Sequence, residues 1–505
     1  MRDLDALVAH RFDLLVVGGG IVGAGIANEA ARAGLSVALV DRGDFGAATS
    51  SSSSKLIHGG LRYLRLGDVA LVRESHRERR ALLQTVAPHL VRRLPFLFPL
   101  YRDGPYRPTT LRLGLAVYSA LAGDRLGGLV PPERGRQSVP DLRLDGLRAC
   151  GVYLDSFTHD GRLCLANVRA AADAGCVVVN YAEVVELRQE GGRVRGAELR
   201  DRLSGETFSV EARAVVNATG PWVDGVRRLE DPQARPLARL SKGVHLLLTL
   251  DRPWSAALTI PHDSVRVTFA YPWQGMLLLG TTDTAYEGDP SALGVEPADV
   301  ARVLDEAAVG LEPEVLDPAR VRASFAGLRV LPFAGGGPTS TARRETVYVA
   351  GRGGMLTVAG GKLTTYRRIA LGALERLRPE LGLPRLDRRP RPLPGALDLA
   401  HAGRVIARRF PELEPATSSH LLHLYGSAAE DVLAPALGDP SLLEAIQPGA
   451  PDVLAQVAYA AGKEWAVTVD DVLWRRTTVG YRGASDASAA RVAAGLGSSA
   501  EVVLS

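Results

Sequence analysis

The clearest alternation of apolar and polar stretches lies near the start of the chain, in FDLLVVGGGIVGAGIANEAARAGLSVALVDRG (12–43). Residues 12–17 form a short run that is apolar apart from Asp13, the pattern of a strand buried on both faces. A glycine turn follows, then a segment of helical length, Ile21–Arg32, that stops near Gly34, and a second apolar run, Val37–Val40. The order predicts strand, turn, helix, strand. Gly18, Gly20 and Gly23 satisfy G-x-G-x-x-G at the turn, and Asp41 closes the second strand 18 positions after Gly23. Glycines so spaced allow a sharp turn, close approach of backbone N–H groups to a pyrophosphate, and tight helix–strand packing. A carboxylate at the position of Asp41 accepts from a ribose hydroxyl. A glycine turn without a nucleotide is the competing explanation, and the complete βαβ context argues against it. The fingerprint alone does not separate NAD from FAD.

The same two periods recur further along. ARAVVNATGPWVD (212–224) predicts an apolar strand ending at Thr219 and Gly220, where small residues permit a second close approach to a cofactor. An ordinary strand and turn explains that block equally well. LSKGVHLLLTL (240–250) predicts a strand whose alternation puts His245 on the face of Gly243 and Leu247, opposite Val244. In ETVYVAGRGGMLTVAGGKLTTYRRIALGALERL (345–377), a strand at Val347–Ala350 precedes a helix opened by Gly360 and Gly361, with Ile369, Leu371, Leu374 and Leu377 as its apolar positions. Lys362 then falls in the first helical turn, where unpaired N–H groups already carry partial positive charge. In PTTLRLGLAVYSALAGDRLGG (108–128), Leu111, Leu115, Tyr118 and Leu121 recur at helical spacing between arginines, which suits an interfacial helix or core packing.

Between the first unit and these later blocks stands TSSSSSKLIHGGLRYL (49–64). A serine run alone reads as a flexible linker. This one leads straight into a lysine, a histidine, a glycine pair and Arg62-Tyr63, which a linker seldom does. Hydroxyls and N–H groups from Thr49 to Ser54 suit a loop running along a diphosphate and a flavin edge, and favour FAD over NAD.

Composition narrows the class. A chain of 505 residues has room for two to four domains at roughly 150 residues each. An apolar content of 46% with 23% charge is that of a globular protein. The net charge of +4 is too mild to imply nucleic-acid binding, and no basic and aromatic ladder supports it. Cys150, Cys164 and Cys176 show no metal or disulfide spacing, and a reducing compartment fits them. No secretory signal and no membrane-spanning run of about 18 apolar residues is predicted. Lysine occurs only at 55, 242, 362 and 463 in an arginine-rich chain. A lysine kept against that bias points to a compact, titratable charge.

Taken together, GGGIVGAGIA (18–27), TSSSSSKLIHGGLRYL (49–64), VVNATGPWVD (215–224) and RLSKGVHLLL (239–248) resemble the FAD-dependent glycerol-3-phosphate dehydrogenases, within the glycine/D-amino-acid-oxidase-like flavoproteins. LLLGTTDTAYEGDP (277–290), AGLRVLP (326–332), AGGKLTTYRRIA (359–370) and DDVLWRRT (470–477) continue the resemblance in order along nearly the whole chain. It implies oxidation of sn-glycerol 3-phosphate to dihydroxyacetone phosphate, with hydride passing from C2 to N5 of FAD. The implied base is His245, with His58 as a rival whose setting suggests cofactor positioning, and Arg329 would stabilise the developing alkoxide. Arg62, Arg343 and Lys362 would grip the phosphate, and Tyr63 would shape the pocket. Thr49, Ser50, Ser54, His58, Thr219, Gly220, Gly361, Lys362 and Leu363 would join Gly18, Gly20, Gly23 and Asp41 around FAD. The late helix start would stabilise an anionic flavin. The implied acceptor is the membrane quinone pool, which would place a cytoplasmic protein peripherally on the inner face of the cell membrane; a homodimer is left open. An oxidase passing electrons to oxygen, another amine or hydroxyl oxidase of the same fold, and a flavin-binding sensor are the alternatives.

The implied fold class is α/β + α. A Rossmann-like FAD-binding domain is expected from residues 1–80, 145–235 and 340–385, and an antiparallel-sheet substrate domain from 81–144 and 236–339. A proline- and arginine-rich linker at 386–396 would lead to an all-helical C-terminal domain at 397–505.

Overall fold

The first βαβ unit stands where its apolar runs put it in the computed structural model, which describes residues 2–65, 67–124, 127–263, 266–333 and 346–497. Strand Arg11–Val17, helix Ile21–Arg32 and strand Val37–Val40 follow one another. Arg11–Val17 runs parallel to Val37–Val40 on one side and to Thr207–Asn217 on the other, which in turn runs parallel to Leu356–Ala359. Burial explains the apolar pattern of this strand. Leu14 and Val16 pack with helix Ile21–Arg32, while Phe12, Leu15 and Val17 enter a second cluster with Leu7, Val194 and Leu199 on the opposite face. Because four strands point the same way, their carboxyl ends, at Val17, Val40, Asn217 and Ala359, share one edge. That edge is where doubly wound sheets place ligands.

The second sheet is mainly antiparallel, with Ala257–Pro261 running parallel to Arg92–Tyr101. Towards one edge runs the strand Ala238–Thr249, paired with Met276–Gly280 on one side and with Val321–Pro332 on the other. Alternation places Val244, Leu246 and Leu248 against helix Pro297–Ala307, and Leu247 with Phe96, Tyr271 and Trp273 on the other face. Leu147–Phe157 pairs with Arg92–Tyr101 and so belongs to this sheet. The boundary read at 145 is therefore corrected: the return to the nucleotide domain comes with helix Asp160–Asp173, which packs on Ile21–Arg32. The stripe of Leu111, Leu115 and Tyr118 on helix Pro108–Ala122 is buried beside Phe96, Phe98 and Tyr153, so core packing accounts for it.

Among the described residues, 397–497 form helices and short helical turns around two apolar clusters, apart from one bridge between Ala445 and Val453. Residues 386–396 are irregular, as expected of a proline-rich stretch, but they are not a loose linker. Leu386 and Leu393 are buried in the nucleotide-domain core, and the Leu393 amide donates to the Val86 carbonyl at 2.9 Å. Buried ion pairs dock the helices: Arg162 meets Glu464 bidentately at 2.7 and 2.8 Å, and Arg475 and Arg476 converge on Asp44. The arginines of DDVLWRRT thus fasten the helical domain to the loop after the second strand.

Candidate functional site

The site begins at the shared strand edge. Gly18 has φ of +104°, a backbone conformation that suits glycine, and a Cβ there would lie 2.6 Å from the Ala218 carbonyl oxygen. Gly18 therefore brings the first turn against the end of Thr207–Asn217. A Cβ on Gly23 would come within 1.8 Å of the Gly18 carbonyl oxygen, so helix Ile21–Arg32 packs down only with glycine at this position. Asp41 accepts from the Gly19 amide at 2.6 Å and from the Gly43 amide at 2.8 Å, tying the glycine turn to the second strand. Burial raises its pKa to about 6 against those two amides. Thr219 donates to the Asn217 side chain at 2.7 Å, and Gly220 opens the following turn. These residues fit a dinucleotide. Glycines at the strand end and the first-turn amides of the helix offer a side-chain-free anion cradle.

The serine loop lies along this cradle. Ser50 Oγ accepts from the Ile21 amide at 2.9 Å, at the helix N-terminus itself. Thr49 Oγ1 donates to the Leu328 carbonyl at 2.7 Å, and a Cβ on Gly327 would lie 2.2 Å from the Ser52 carbonyl oxygen. The loop is thus pressed on the strand that carries Arg329. Its continuation reaches the late motif: the His58 amide donates to Thr364 Oγ1 at 3.2 Å. Lys362 Nζ sits 3.5 Å from the ring centroid of buried Tyr63, a cation–π contact. The helix expected from Gly361 begins later. A 3₁₀ turn, Leu363–Thr365, comes first, and the α-helix is Tyr366–Leu381. Gly360 and Gly361 have φ of +80° and +104°, outside the helical region, and Lys362 is the residue flanking the turn. Thr364, in that 3₁₀ turn, meets the backbone of His58, four residues beyond the serine run.

His245 and Arg329 come from neighbouring strands. Arg329 pairs with Ser241, and its guanidinium lies over Gly243, where a Cβ would come within 2.4 Å of it. It donates to Thr281 Oγ1 at 2.7 Å and to the Thr282 carbonyl at 3.0 Å, with Asp283 at 3.8 Å. His245 is 2% exposed, shares a 2.9 Å hydrogen bond between Nε2 and Ser54 Oγ, and stacks on Phe325 at 4.9 Å. Its Nδ1 has no hydrogen-bond partner among the described residues. Burial first, then Arg329 and Lys55, push its pKa well below the ordinary histidine range. The imidazole is therefore neutral at pH 7 and able to accept a proton.

Arg343 lies outside the described residues, and so does the side chain of Arg62. The other singled-out residues fall on two adjoining lines, the strand-edge cradle and the face carrying His245. Sequence reasoning missed what stands behind the face. Phe325 and Asp160 carried no signal, and Thr281 and the rare Lys55 stood inside quoted motifs without a role assigned to them. Lys242, also rare, instead pairs with Asp299 at 2.6 Å on the substrate sheet.

Comparison with known proteins agrees with this geometry. The profile of the family described as FAD dependent oxidoreductase matches residues 13–367, and that of the C-terminal domain of alpha-glycerophosphate oxidase matches residues 389–500. The glycerol-3-phosphate dehydrogenase 2 of Mycobacterium tuberculosis is 37% identical over 486 residues, covering 94% of this chain and 82% of its own. The glycerol-3-phosphate dehydrogenase of Synechocystis is 33% identical over 502 residues, covering 95% of this chain and 91% of its own. The crystal structure of the glycerol-3-phosphate dehydrogenase from Bacillus halodurans complexed with FAD aligns with a TM-score of 0.76 at 29% identity, over 94% of this chain and 87% of that one.

Proposed function

This chain belongs to the FAD-dependent glycerol-3-phosphate dehydrogenases, and we propose from that premise that His245 is its catalytic base and Arg329 its electrostatic partner. The protein is a flavoenzyme that oxidises glycerol 3-phosphate, and its cofactor is FAD. When bound, FAD supplies the hydride acceptor. Gly18, Gly20, Gly23, Ser50 and the first-turn amides of Ile21–Arg32 hold the diphosphate. Thr219, Gly220, Asp41, Thr49, Ser54, His58, Gly361 and Leu363 line the rest of the cofactor's course.

The observation that carries the assignment is the neutral, buried imidazole of His245, oriented by Ser54 and set beside Arg329. With Nε2–H donating to Ser54 Oγ, the lone pair of Nδ1 takes the proton of the substrate's C2 hydroxyl. Arg329 stabilises the negative charge that develops on that oxygen. Lys362, held over Tyr63, meets the phosphate with its point charge, and Arg62 and Arg343 share that load on the strength of the family motifs. The test is anaerobic bleaching of the flavin spectrum by glycerol 3-phosphate. Wild type bleaches, and His245→Ala slows the reduction by about a hundredfold or more. An unchanged rate in that variant removes His245 as the base.

The electron acceptor in this reading is membrane quinone, reached from the cytoplasmic face. The support is the solvent side of helix Pro108–Ala122. Leu113 is 68% exposed and Val117 40%, with exposed Ala116 and Ala120 on the same face and exposed Arg107 and Arg112 beside them. An apolar face fringed by arginine suits the surface of an anionic bilayer. Among the described residues no helix is long and apolar enough to cross a membrane. Stoichiometric hydrogen peroxide in air would assign the electrons to oxygen instead.

A further inference from the structure

Behind His245 lies a lysine with no polar solvent contact to explain it. Lys55 is 0% exposed and has φ of +52°. Its Nζ lies 2.7 Å from Asp160 Oδ1, 2.7 Å from the Ser51 carbonyl oxygen and 3.2 Å from the Tyr481 hydroxyl. Three rings complete the enclosure, with centroids 4.6 Å (Tyr481), 4.8 Å (Phe325) and 5.0 Å (Trp273) from the ammonium. A buried ammonium is held this way only when its partners are numerous and fixed.

The cage touches the proposed base by two routes. Asp160 also accepts from the Ser53 amide at 3.1 Å and from Ser53 Oγ at 2.7 Å, and the Lys55 amide donates to Ser53 Oγ at 2.9 Å. Residues 51–55 are thereby locked into one turn, whose Ser54 Oγ meets His245 Nε2, while the Tyr271 hydroxyl holds the Ser54 carbonyl at 2.7 Å. The second route is Phe325, which stacks on the imidazole with an interplanar angle of 14° and also borders the ammonium. Tyr481 comes from the helical C-terminal domain, and its hydroxyl additionally donates to the Ser51 carbonyl at 3.1 Å.

We propose that Lys55 is a positioning residue for His245, acting through Ser54, and that the helical domain completes the active site by supplying Tyr481 to the Lys55 cage. The proposal rests on the reading of His245 as the base. The charged groups around the imidazole are Arg329, with its partner Asp283, from the strand side and Lys55, with its partner Asp160, from the loop side. Lys55 is one of the two cations that keep the imidazole unprotonated. Its removal raises the histidine pKa, so the acid limb of the rate profile moves to higher pH.

The test uses the full-length, FAD-loaded protein and anaerobic flavin reduction over a range of glycerol 3-phosphate concentrations up to saturation, with KM taken from steady-state turnover. Lys55→Met and Ser54→Ala are each expected to slow reduction by about tenfold to a hundredfold, as misplaced catalytic groups do. KM stays unchanged, the acid limb moves upward in Lys55→Met, and the double variant is no slower than the slower single. Tyr481→Phe keeps the ring and the fold, loses the hydroxyl, and slows reduction in the same direction. It also carries the test alone if Lys55→Met fails to fold. Flavin-loaded Lys55→Met or Tyr481→Phe with the wild-type rate and pH profile overturns the proposal, as do losses that multiply in the double variant. His245→Ala separates the two readings: slow reduction there beside wild-type Tyr481→Phe sinks only the Lys55 proposal, and wild-type reduction there sinks the base assignment as well.

Discussion

The main chain of His58 and the side chain of Thr364 close on each other across 306 positions of sequence. The His58 amide donates to Thr364 Oγ1 at 3.2 Å, and the same hydroxyl donates back to the His58 carbonyl at 3.3 Å. One side chain thus joins the end of the serine loop to the start of the late helix, the two segments between which the flavin is read to lie.

Thr364→Val keeps the shape and removes that hydroxyl. It leaves two part-buried backbone groups of His58 without their partner, and stability is expected to fall by about 1–3 kcal/mol. Because the lost contact joins the two segments proposed to flank FAD, its affinity should fall too. Urea denaturation and flavin titration of the apoprotein measure the two effects.

Asp44 carries both arginines of the DDVLWRRT segment. Asp44→Ala leaves the buried guanidinium of Arg476 without its carboxylate, while Arg475 retains Asp471 at 2.7 Å. Removing one partner of a buried pair costs about 3–5 kcal/mol. The helical domain should come loose first, seen as faster limited proteolysis between it and the nucleotide domain. Cleavage at the wild-type rate would show that the pairs do not dock it.

Acid should weaken the fold. Burial holds His76 at about 4 and His89 and His423 at about 3, against about 6.5 for an unfolded histidine. The unfolded chain therefore binds protons first as pH falls, and stability, complete above about pH 6.5, declines toward pH 4 by about 1.4 kcal/mol per pH unit for each group fully engaged. Asp41 and Asp155, both raised by burial to about 6, act in the opposite sense over the same window, since the folded chain protonates them first. His159 and His245, both lowered well below the ordinary value, add to the histidine side. Glu29, Glu78 and Glu230, also raised by burial, act with the two aspartates, and His262, also lowered, joins the histidines. Six histidines, which begin to titrate at higher pH than the carboxylates, stand against five carboxylates, so the urea midpoint should drop between pH 6.5 and 4; a flat profile would contradict it.

Membrane attachment is tested at Leu113 and Val117. The double variant Leu113→Asp, Val117→Asp adds charge to the exposed face and leaves buried Leu111, Leu115 and Tyr118 in place. It should float poorly with phosphatidylglycerol vesicles while reducing a water-soluble quinone at the wild-type rate. Equal flotation of both proteins would place the contact elsewhere.

Much of the nucleotide domain was legible from residue order. The bounds Ile21–Arg32 and Val37–Val40 coincide with the elements formed, because strands buried on both faces and a glycine-flanked helix leave little choice locally. The substrate sheet was less legible. Leu147–Phe157 reads as a strand in either sheet, and only its pairing with Arg92–Tyr101 decides between them. Helix Pro108–Ala122 carries apolar residues on two faces, and periodicity does not say which one the core takes. For the site, the motif residues were visible individually, whereas Asp160, Phe325 and Tyr481 are ordinary residues that matter through where they meet.

By itself the order of residues determined the βαβ unit with its glycine turn, the face of the strand on which His245 stands, and the helical character of the last hundred or so positions. These follow from side-chain period and backbone sterics, which act over a few neighbours. Tertiary structure alone decided that the serine loop meets Thr364, that Arg329 lies over Gly243, and that a tyrosine from the helical domain closes on Lys55. Such meetings depend on how whole elements pack, and a chain's local preferences carry no record of partners hundreds of positions away.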